Sequence, residues 1–141
     1  MIINGEHWQT FGSVDEALDS SINDGAHKDI LQLVTETLSE TEALLLLAQK
    51  AENYEQQNHA CMALASKLSA TLGYDEQLLF DVVRELSALS IRHRYAQHQK
   101  RLSVSRKQIS LWRKTTQAWA AAAEQHAADQ LEVALTDAGF I

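Results

Sequence analysis

Neither proline nor glycine interrupts residues 74–138, which read YDEQLLFDVVRELSALSIRHRYAQHQKRLSVSRKQISLWRKTTQAWAAAAEQHAADQLEVALTDA. Proline and glycine are the strong helix breakers, because proline lacks a backbone N–H and glycine loses much backbone entropy when it is ordered. Residues 26–72 are also free of both, and the whole chain contains no proline. These two stretches cover most of the chain, so the sequence predicts an all-α protein built from long helices.

The 141 residues suit one domain, whose fold we predict as an elongated antiparallel bundle of four to five helices. The bundle is expected to span residues 13–141. Residues 1–12 differ in composition and contain an Asn-Gly turn signal at residues 4–5, which predicts a short irregular or hairpin-like arm. We expect Trp8 and Phe11 to pin this arm onto the bundle.

Helix ends are predicted from capping patterns. Ser13, Ser39 and Ser105 each precede a Glu or Gln by three residues, as in a capping box, in which the serine oxygen accepts a backbone amide hydrogen bond. We therefore expect a short helix over residues 14–21, a kink or restart at Ser39, and a break or sharp bend near Ser105. Gly73 stands where a C-terminal glycine cap belongs.

Two apolar stripes predict the buried faces of the long helices. The first is expected to follow a single helix after Ser39 through Leu44, Leu47, Ala48, Ala51, Tyr54, Cys61, Met62, Ala65, Leu68 and Leu72. The second is a heptad seam through Tyr95, Leu102, Ile109, Trp112 and Trp119 that continues to His126 and Val133. The break near Ser105 would leave two helices of about 30 residues, each about 45 Å long, whereas a chain that runs straight from Tyr74 to Asp137 would form one helix of about 95 Å. A coiled-coil homodimer is expected if the seam around Trp112 and Trp119 is not covered within the monomer.

Charge is strongly segregated along the chain. Residues 86–123 contain no Asp or Glu, whereas all 19 acidic residues lie outside this window. The window holds eight cations, which are Arg92, Arg94, Lys100, Arg101, Arg106, Lys107, Arg113 and Lys114. This asymmetry indicates an acidic protein surface as partner, or pairing of the basic segment with acidic helices of the same molecule or of a second copy.

Nucleic acid is the alternative partner for the same cations. Lysine and arginine along one helical surface neutralise phosphates, and Tyr95 or Trp112 could stack on bases. The sequence pI of 5.3 argues against this alternative, because dedicated nucleic-acid binders usually have a basic domain.

Residues 92–98, RHRYAQH, resemble the Arg-(four to six residues)-His motif of the HEPN family, whose all-helical domains include metal-independent RNases. The resemblance covers these seven residues alone, and it places the motif in the middle of a predicted helix. It implies that Arg92, His93 and His98 meet across a dimer cleft. His98 would then act as general base or acid, and Arg92 would stabilise the pentacovalent phosphate. A helical RNase is therefore a third hypothesis.

Other chemistry finds little support in the sequence. Glu52, Glu55 and His59 share a helical face, but the second Glu-x-x-His of a di-metal bundle is missing, so we expect no metal and no cofactor. Cys61 lies on an apolar stripe and is expected to be a buried structural thiol. A single cysteine, no signal-peptide pattern and no long apolar run predict a cytoplasmic protein that does not span a membrane.

Together these features predict a non-enzymatic helical interaction protein, such as an adaptor, assembly factor, chaperone or inhibitor. It would bind another macromolecule through long helical surfaces and the cationic segment 86–123. Small accessory proteins of bacteria and phages are often of this kind.

Overall fold

A computed structural model describes the backbone of residues 2–3 and 6–7, and residues 10–25, 27–87 and 95–141 with their side chains. Two short strands, β1 (Ile2–Ile3) and β2 (Glu6–His7), pair antiparallel, with Ile2 opposite His7 and Ile3 opposite Glu6. The helices are α1 (Val14–Asp19, continued by a π turn over Ser20–Asp24), α2 (Lys28–Thr37), α3 (Glu40–Lys50), α4 (Tyr54–Leu72), α5 (Glu76–Glu85), α6 (Ala96–Leu102) and α7 (Arg106–Asp137).

The predicted all-α fold is confirmed. Phe11, near the end of the predicted arm, is held close to the C-terminus, because its amide donates to the Phe140 carbonyl at 2.8 Å and its side chain packs on the adjacent core. The predicted turn at residues 4–5 and the contact of Trp8 lie outside the described residues. No helix within the described ranges is both long and apolar enough to cross a membrane.

The predicted caps are observed. Ser39 and Glu42 form a reciprocal capping box at the start of α3, and Ser105 caps α7 by accepting the Gln108 amide at 3.1 Å. Gly73 ends α4 in the left-handed conformation, with φ of 75°, where a Cβ would be strained. Ser13 likewise caps α1 by accepting the Glu16 amide at 3.2 Å, so these local signals place four of the helix boundaries correctly.

The single helix predicted after Ser39 is wrong, because it is divided into α3 and α4. Asn53 caps α4 by accepting the Gln56 amide at 3.0 Å. Asn23, from the π turn after α1, bonds to the backbone on both sides of the gap between α3 and α4. Its side-chain amide donates to the Lys50 carbonyl at 3.0 Å, and its side-chain oxygen accepts the Glu52 amide at 2.9 Å. The predicted stripe consequently fails at Tyr54 and Met62, which are 54% and 55% exposed.

The first of the two helices expected between residues 74 and 137 is also shorter than predicted. α5 ends at Glu85, where the Ser87 hydroxyl donates to the Arg84 carbonyl at 2.7 Å and competes with a further helical turn. Residues 88–94 lie outside the described part of the chain. The predicted break is confirmed at Ser103, whose φ of 53° ends α6, and the 32-residue α7 follows.

The buried side chains of the described residues form three clusters, and α7 contributes to each of them. The first cluster joins α1 and α2 to the C-terminal half of α7, including Leu131. The second joins α3, α4 and α5 to Ala120 of α7. The third is the smallest and joins Leu78 and Val82 of α5 to Ile109 of α7. α7 is thus the element against which both ends of the molecule pack.

The heptad seam holds for Ile109 but is wrong in the C-terminal half of α7. The side chain of His126 is 64% exposed and Val133 is 62% exposed, whereas Ala127 and Leu131 are buried. A straight α-helix has 3.6 residues per turn, so its buried stripe drifts by about 20° per heptad from a strict 3.5-residue repeat. The helix packs on several short helices instead of one long partner, so nothing imposes a supercoil.

The two registers of α7 make opposite predictions for stability. Leu131→Ala should lower the free energy of unfolding by about 2–5 kcal/mol, because it opens a cavity in the first cluster. Val133→Ala should change it by less than about 0.5 kcal/mol, because the side chain is exposed. Urea unfolding at low protein concentration measures both. If both variants lost the same free energy of unfolding, the heptad register would be correct and the one described here would be wrong.

Candidate interaction surface

The cationic window divides into residues that hold the fold and residues that face solvent. Arg101 of α6 makes a bidentate ion pair with Asp75, the N-cap of α5, with Nη1–Oδ1 and Nη2–Oδ2 distances of 3.1 and 2.5 Å. Arg113 of α7 reaches Glu85 of α5, with its Nε and Nη2 at 3.0 and 2.9 Å from Oε2. These two arginines therefore fasten α6 and α7 to α5, as the internal-pairing alternative predicts.

The Arg101 pair sets the electrostatics of Asp75. Hydrogen bonds from Arg101 lower the pKa of the Asp75 carboxyl against the opposing effect of burial, and the Leu78 amide lowers it further. The pairing in turn raises the pKa of Arg101. Asp75 also caps α5 by accepting the Leu78 amide at 3.0 Å, so one carboxylate fixes both the start of α5 and the position of α6.

Four cations remain exposed without an ion pair to any described residue. These residues, which we call the cationic surface, are Lys100, Arg106, Lys107 and Lys114. Leu111 lies among the last three along a shallow groove of about 700 Å³ and is itself 56% exposed. Arg92 and Arg94, the other two predicted members of the basic face, lie outside the described residues.

Two of these cations occupy positions that are unfavourable for α7 itself. Arg106 and Lys107 are the first two residues of the helix, and its first turn holds no acidic residue. The N-terminus of a helix carries a partial positive charge, which favours anions and disfavours cations there. The cations and the helix dipole therefore add to one positive field at the end of α7.

The predicted seam residues from Tyr95 to Trp119 pack against buried clusters of the same chain. Ile109 is buried in the third cluster, and Tyr95, Leu102 and Trp112 pack against it. Trp119 packs against the second cluster. Trp112 and Trp119 are partly buried by these contacts, and a homodimer around them stays a prediction.

The aromatic rings suggested for base stacking are already engaged. The Trp112 ring lies 5.7 Å from the Tyr74 ring, and the Arg113 guanidinium lies 5.1 Å over the Tyr95 ring. Burial and the nearby Glu85 carboxylate raise the pKa of the Tyr95 phenol, so it stays neutral. Both rings therefore already make packing contacts within the monomer.

His98 of α6 links this helix to α5 through a side-chain hydrogen bond. Its Nε2 lies 2.5 Å from Asp81 Oδ2, and its Nδ1 lies 2.8 Å from Arg101 Nη2. Since the guanidinium can only donate, Nδ1 accepts and Nε2–H donates to Asp81. Both ring nitrogens are thus occupied and the side chain is buried, so His98 has no lone pair free for an RNA hydroxyl. Arg92 and His93, the other residues of the HEPN-like motif, lie outside the described residues.

The remaining candidate groups form no reactive centre in the described part of the chain. Glu52, Glu55 and His59 do not converge, and no three His, Cys, Asp or Glu side chains among the described residues are placed to hold a metal. Cys61 is buried as predicted, and burial raises the pKa of its thiol to about 11, with Arg84 acting in the opposite sense.

Comparison of the chain with known protein families, curated proteins and solved structures finds no match.

The partners of His126 and His98 were not predicted from the sequence. His126 lies 2.5 Å from Glu42 of α3, and His98 contacts Asp81 of α5. Burial raises the pKa of Glu42, but hydrogen bonds from His126 and Ser39 outweigh burial and leave it lowered. The capping pattern at Ser39 marked Glu42 as structural, whereas no sequence signal links it to a histidine 84 residues away.

The Asp75–Arg101 pair predicts a pH-dependent loss of stability. A carboxyl whose pKa is lowered in the folded state stabilises the fold above its ordinary pKa of about 3.9, and this contribution disappears as pH falls through the folded value. Arg101→Gln should therefore be less stable than wild type at neutral pH, with a difference that shrinks in acid. NMR titration should show the Asp75 pKa rising in this variant.

Lys100→Gln is the matched control for this measurement. It removes one positive charge from the adjacent residue, which is exposed and makes no ion pair with a described residue. An equal rise of the Asp75 pKa in both variants would mean that net charge, and not the Arg101 contact, sets it.

Proposed function

We propose that this protein is a non-enzymatic helical interaction protein that docks onto an acidic protein surface through the cationic surface at the junction of α6 and α7. The observation that carries the proposal is the contrast within one segment. Arg101 and Arg113 are neutralised by carboxylates of α5, whereas Lys100, Arg106, Lys107 and Lys114 face solvent with no described carboxylate beside them.

The position of these charges supports a binding role over simple solubility. A solvated helix normally places acidic residues in its first turn, where they interact favourably with the dipole. α7 places Arg106 and Lys107 there instead, and its first acidic residue is Glu124. An anionic partner would relieve this arrangement. The N-terminal end of α7 therefore carries a positive field, although the net charge of the chain is −7.

The apolar content of the groove favours a protein partner over nucleic acid. Leu111 is exposed between the cations, and interfaces between proteins combine such an apolar centre with a charged rim. Single-stranded nucleic acid usually adds base stacking on aromatic rings, and Trp112 and Tyr95 are engaged in packing. A nucleic acid held through phosphates alone remains the second candidate. The RNase hypothesis has no observation of its own in the site, since His98 is committed to Asp81 and Arg101.

The compartment follows from the same proposal. A single buried thiol needs no oxidising environment, and binding of acidic surfaces by lysine and arginine requires no cofactor or metal. We therefore place the protein in the cytoplasm.

A double charge reversal, Arg106→Glu with Lys107→Glu, separates binding from folding. Two glutamates in the first turn of α7 should preserve or raise stability, by about 0.3–1 kcal/mol each, because they suit the dipole. Binding to an acidic partner should be lost. Partners are captured from cell extract on immobilised wild-type and variant chains, with and without nuclease, and the retained proteins are quantified by mass spectrometry.

Lys28→Glu is the matched control, because Lys28 is also an exposed first residue of a helix, α2, and lies outside the cationic surface. The proposal requires proteins that resist nuclease treatment, stay bound to the control and are lost from the double variant. Retention that disappears with nuclease, and weakens steeply with salt on defined single- and double-stranded oligonucleotides, would establish the nucleic-acid alternative. Equal capture by all three chains would refute a role for this surface.

A further inference from the structure

The side of α7 that faces away from the three clusters is exposed along its length and lacks a partner within the described residues. We call it the outer face, and it comprises Lys107, Leu111, Lys114, Ala118, Ala121, Ala122, Gln125, Asp129, Glu132 and Val133. These residues recur at three- and four-residue intervals opposite the buried stripe of Ile109, Ala120 and Leu131, so they lie along one side of the helix.

Charge reverses sign along this face. The N-terminal half carries Lys107 and Lys114, and the C-terminal half carries Asp129 and Glu132. Between them lie small exposed side chains at Ala118, Ala121 and Ala122, which allow another helix to approach closely. The two large exposed apolar side chains of α7, Leu111 and Val133, stand on opposite sides of this centre and are 56% and 62% exposed.

This pattern is complementary to itself when it is read in opposite directions. With the midpoint set between Ala121 and Ala122, Lys114 and Asp129 are equally distant from it, so each lysine would face the aspartate of a second copy. Leu111 would lie beside Glu132 and Val133 of that copy. Gln125 donates to Asp129 Oδ1 at 2.9 Å, which orients the carboxylate on this face.

We propose that two copies of this chain pack through the outer faces of α7, antiparallel, with a two-fold axis near Ala121 and Ala122. The interface is isologous, so every favourable contact occurs twice and the assembly closes at two copies. A parallel arrangement would set Lys114 against Lys114 and Asp129 against Asp129, which charge repulsion disfavours. The inference rests on the proposed function in one respect: it names the C-terminal half of α7 in a second copy as an acidic surface that Lys114 engages.

Disulfide trapping tests the geometry directly. The native Cys61 is buried, so an introduced cysteine provides the only accessible thiol among the described residues. Under mild oxidation, Ala122→Cys should form a covalent dimer, because its two copies lie close to the axis and within reach of a disulfide. Val133→Cys, which is equally accessible, should stay uncrosslinked, because its copies would be about 35 Å apart along the helix axes. Crosslinking of both variants would indicate a parallel pair, and crosslinking of neither would overturn the interface.

Charge exchange tests the partner assignment in the absence of oxidation. Light scattering after size exclusion should give a dimer for wild type, and Lys114→Glu or Asp129→Lys alone should raise its dissociation constant about tenfold or more, since each lesion acts twice. The double variant, Lys114→Glu with Asp129→Lys, should restore the dimer because opposite charges again face each other. A wild-type chain that stays monomeric at high concentration would refute the inference.

Failure of the dimer and failure of the proposed function would give different experimental results. A monomeric wild-type chain whose cationic surface still captures nuclease-resistant partners would remove the dimer and leave the function standing. A dimer whose partner capture is unaffected by Arg106→Glu with Lys107→Glu would support the dimer and remove the docking role of those two cations.

Discussion

One buried stripe along α7 is the constraint on which the rest of the structure depends. Ile109, Ala120 and Leu131 lie in three separate hydrophobic clusters, and a single helix carries all three residues. The shorter helices α1, α2, α3, α5 and α6 therefore pack against one common helix. The same constraint keeps the opposite side of α7 in solvent over its whole length, which is why that side is available for contact with another molecule.

Two uses of positive charge are combined in one segment. Arg101 and Arg113 each meet a carboxylate from α5, and these pairs fix how α6 and α7 meet that helix. Lys107 and Lys114 lie further round the helix, where no described acidic residue reaches them. A linear count of charges treats all of these residues alike. The three-dimensional arrangement separates those that serve the fold from those that can serve a partner.

The sequence predicts what is determined locally and misses what depends on distant contacts. The boundaries at Ser39, Gly73 and Ser105 follow from caps that involve neighbours within a turn. The gap before Asn53 depends on hydrogen bonds from Asn23, which is separated from it in sequence by α2 and α3. Hydrophobic periodicity alone therefore predicts one continuous helix there. The heptad failed because its C-terminal half relied on a repeat that only a long helical partner could enforce. Of the predicted site, the exposed cations were identifiable from composition, whereas their division into paired and unpaired residues required the fold.

The third cluster has a consequence for how the molecule opens. Among the described residues it contains the fewest buried side chains, Leu78, Val82 and Ile109, and the Asp75–Arg101 pair joins α5 and α6. Regions with few buried apolar contacts open by local unfolding at a lower free energy than the global transition. Within the described ranges, the junction of α6 and α7 is therefore where we expect amide hydrogens to exchange early. A partner bound there would slow that exchange, and the cationic end of α7 would be ordered most firmly when it is occupied.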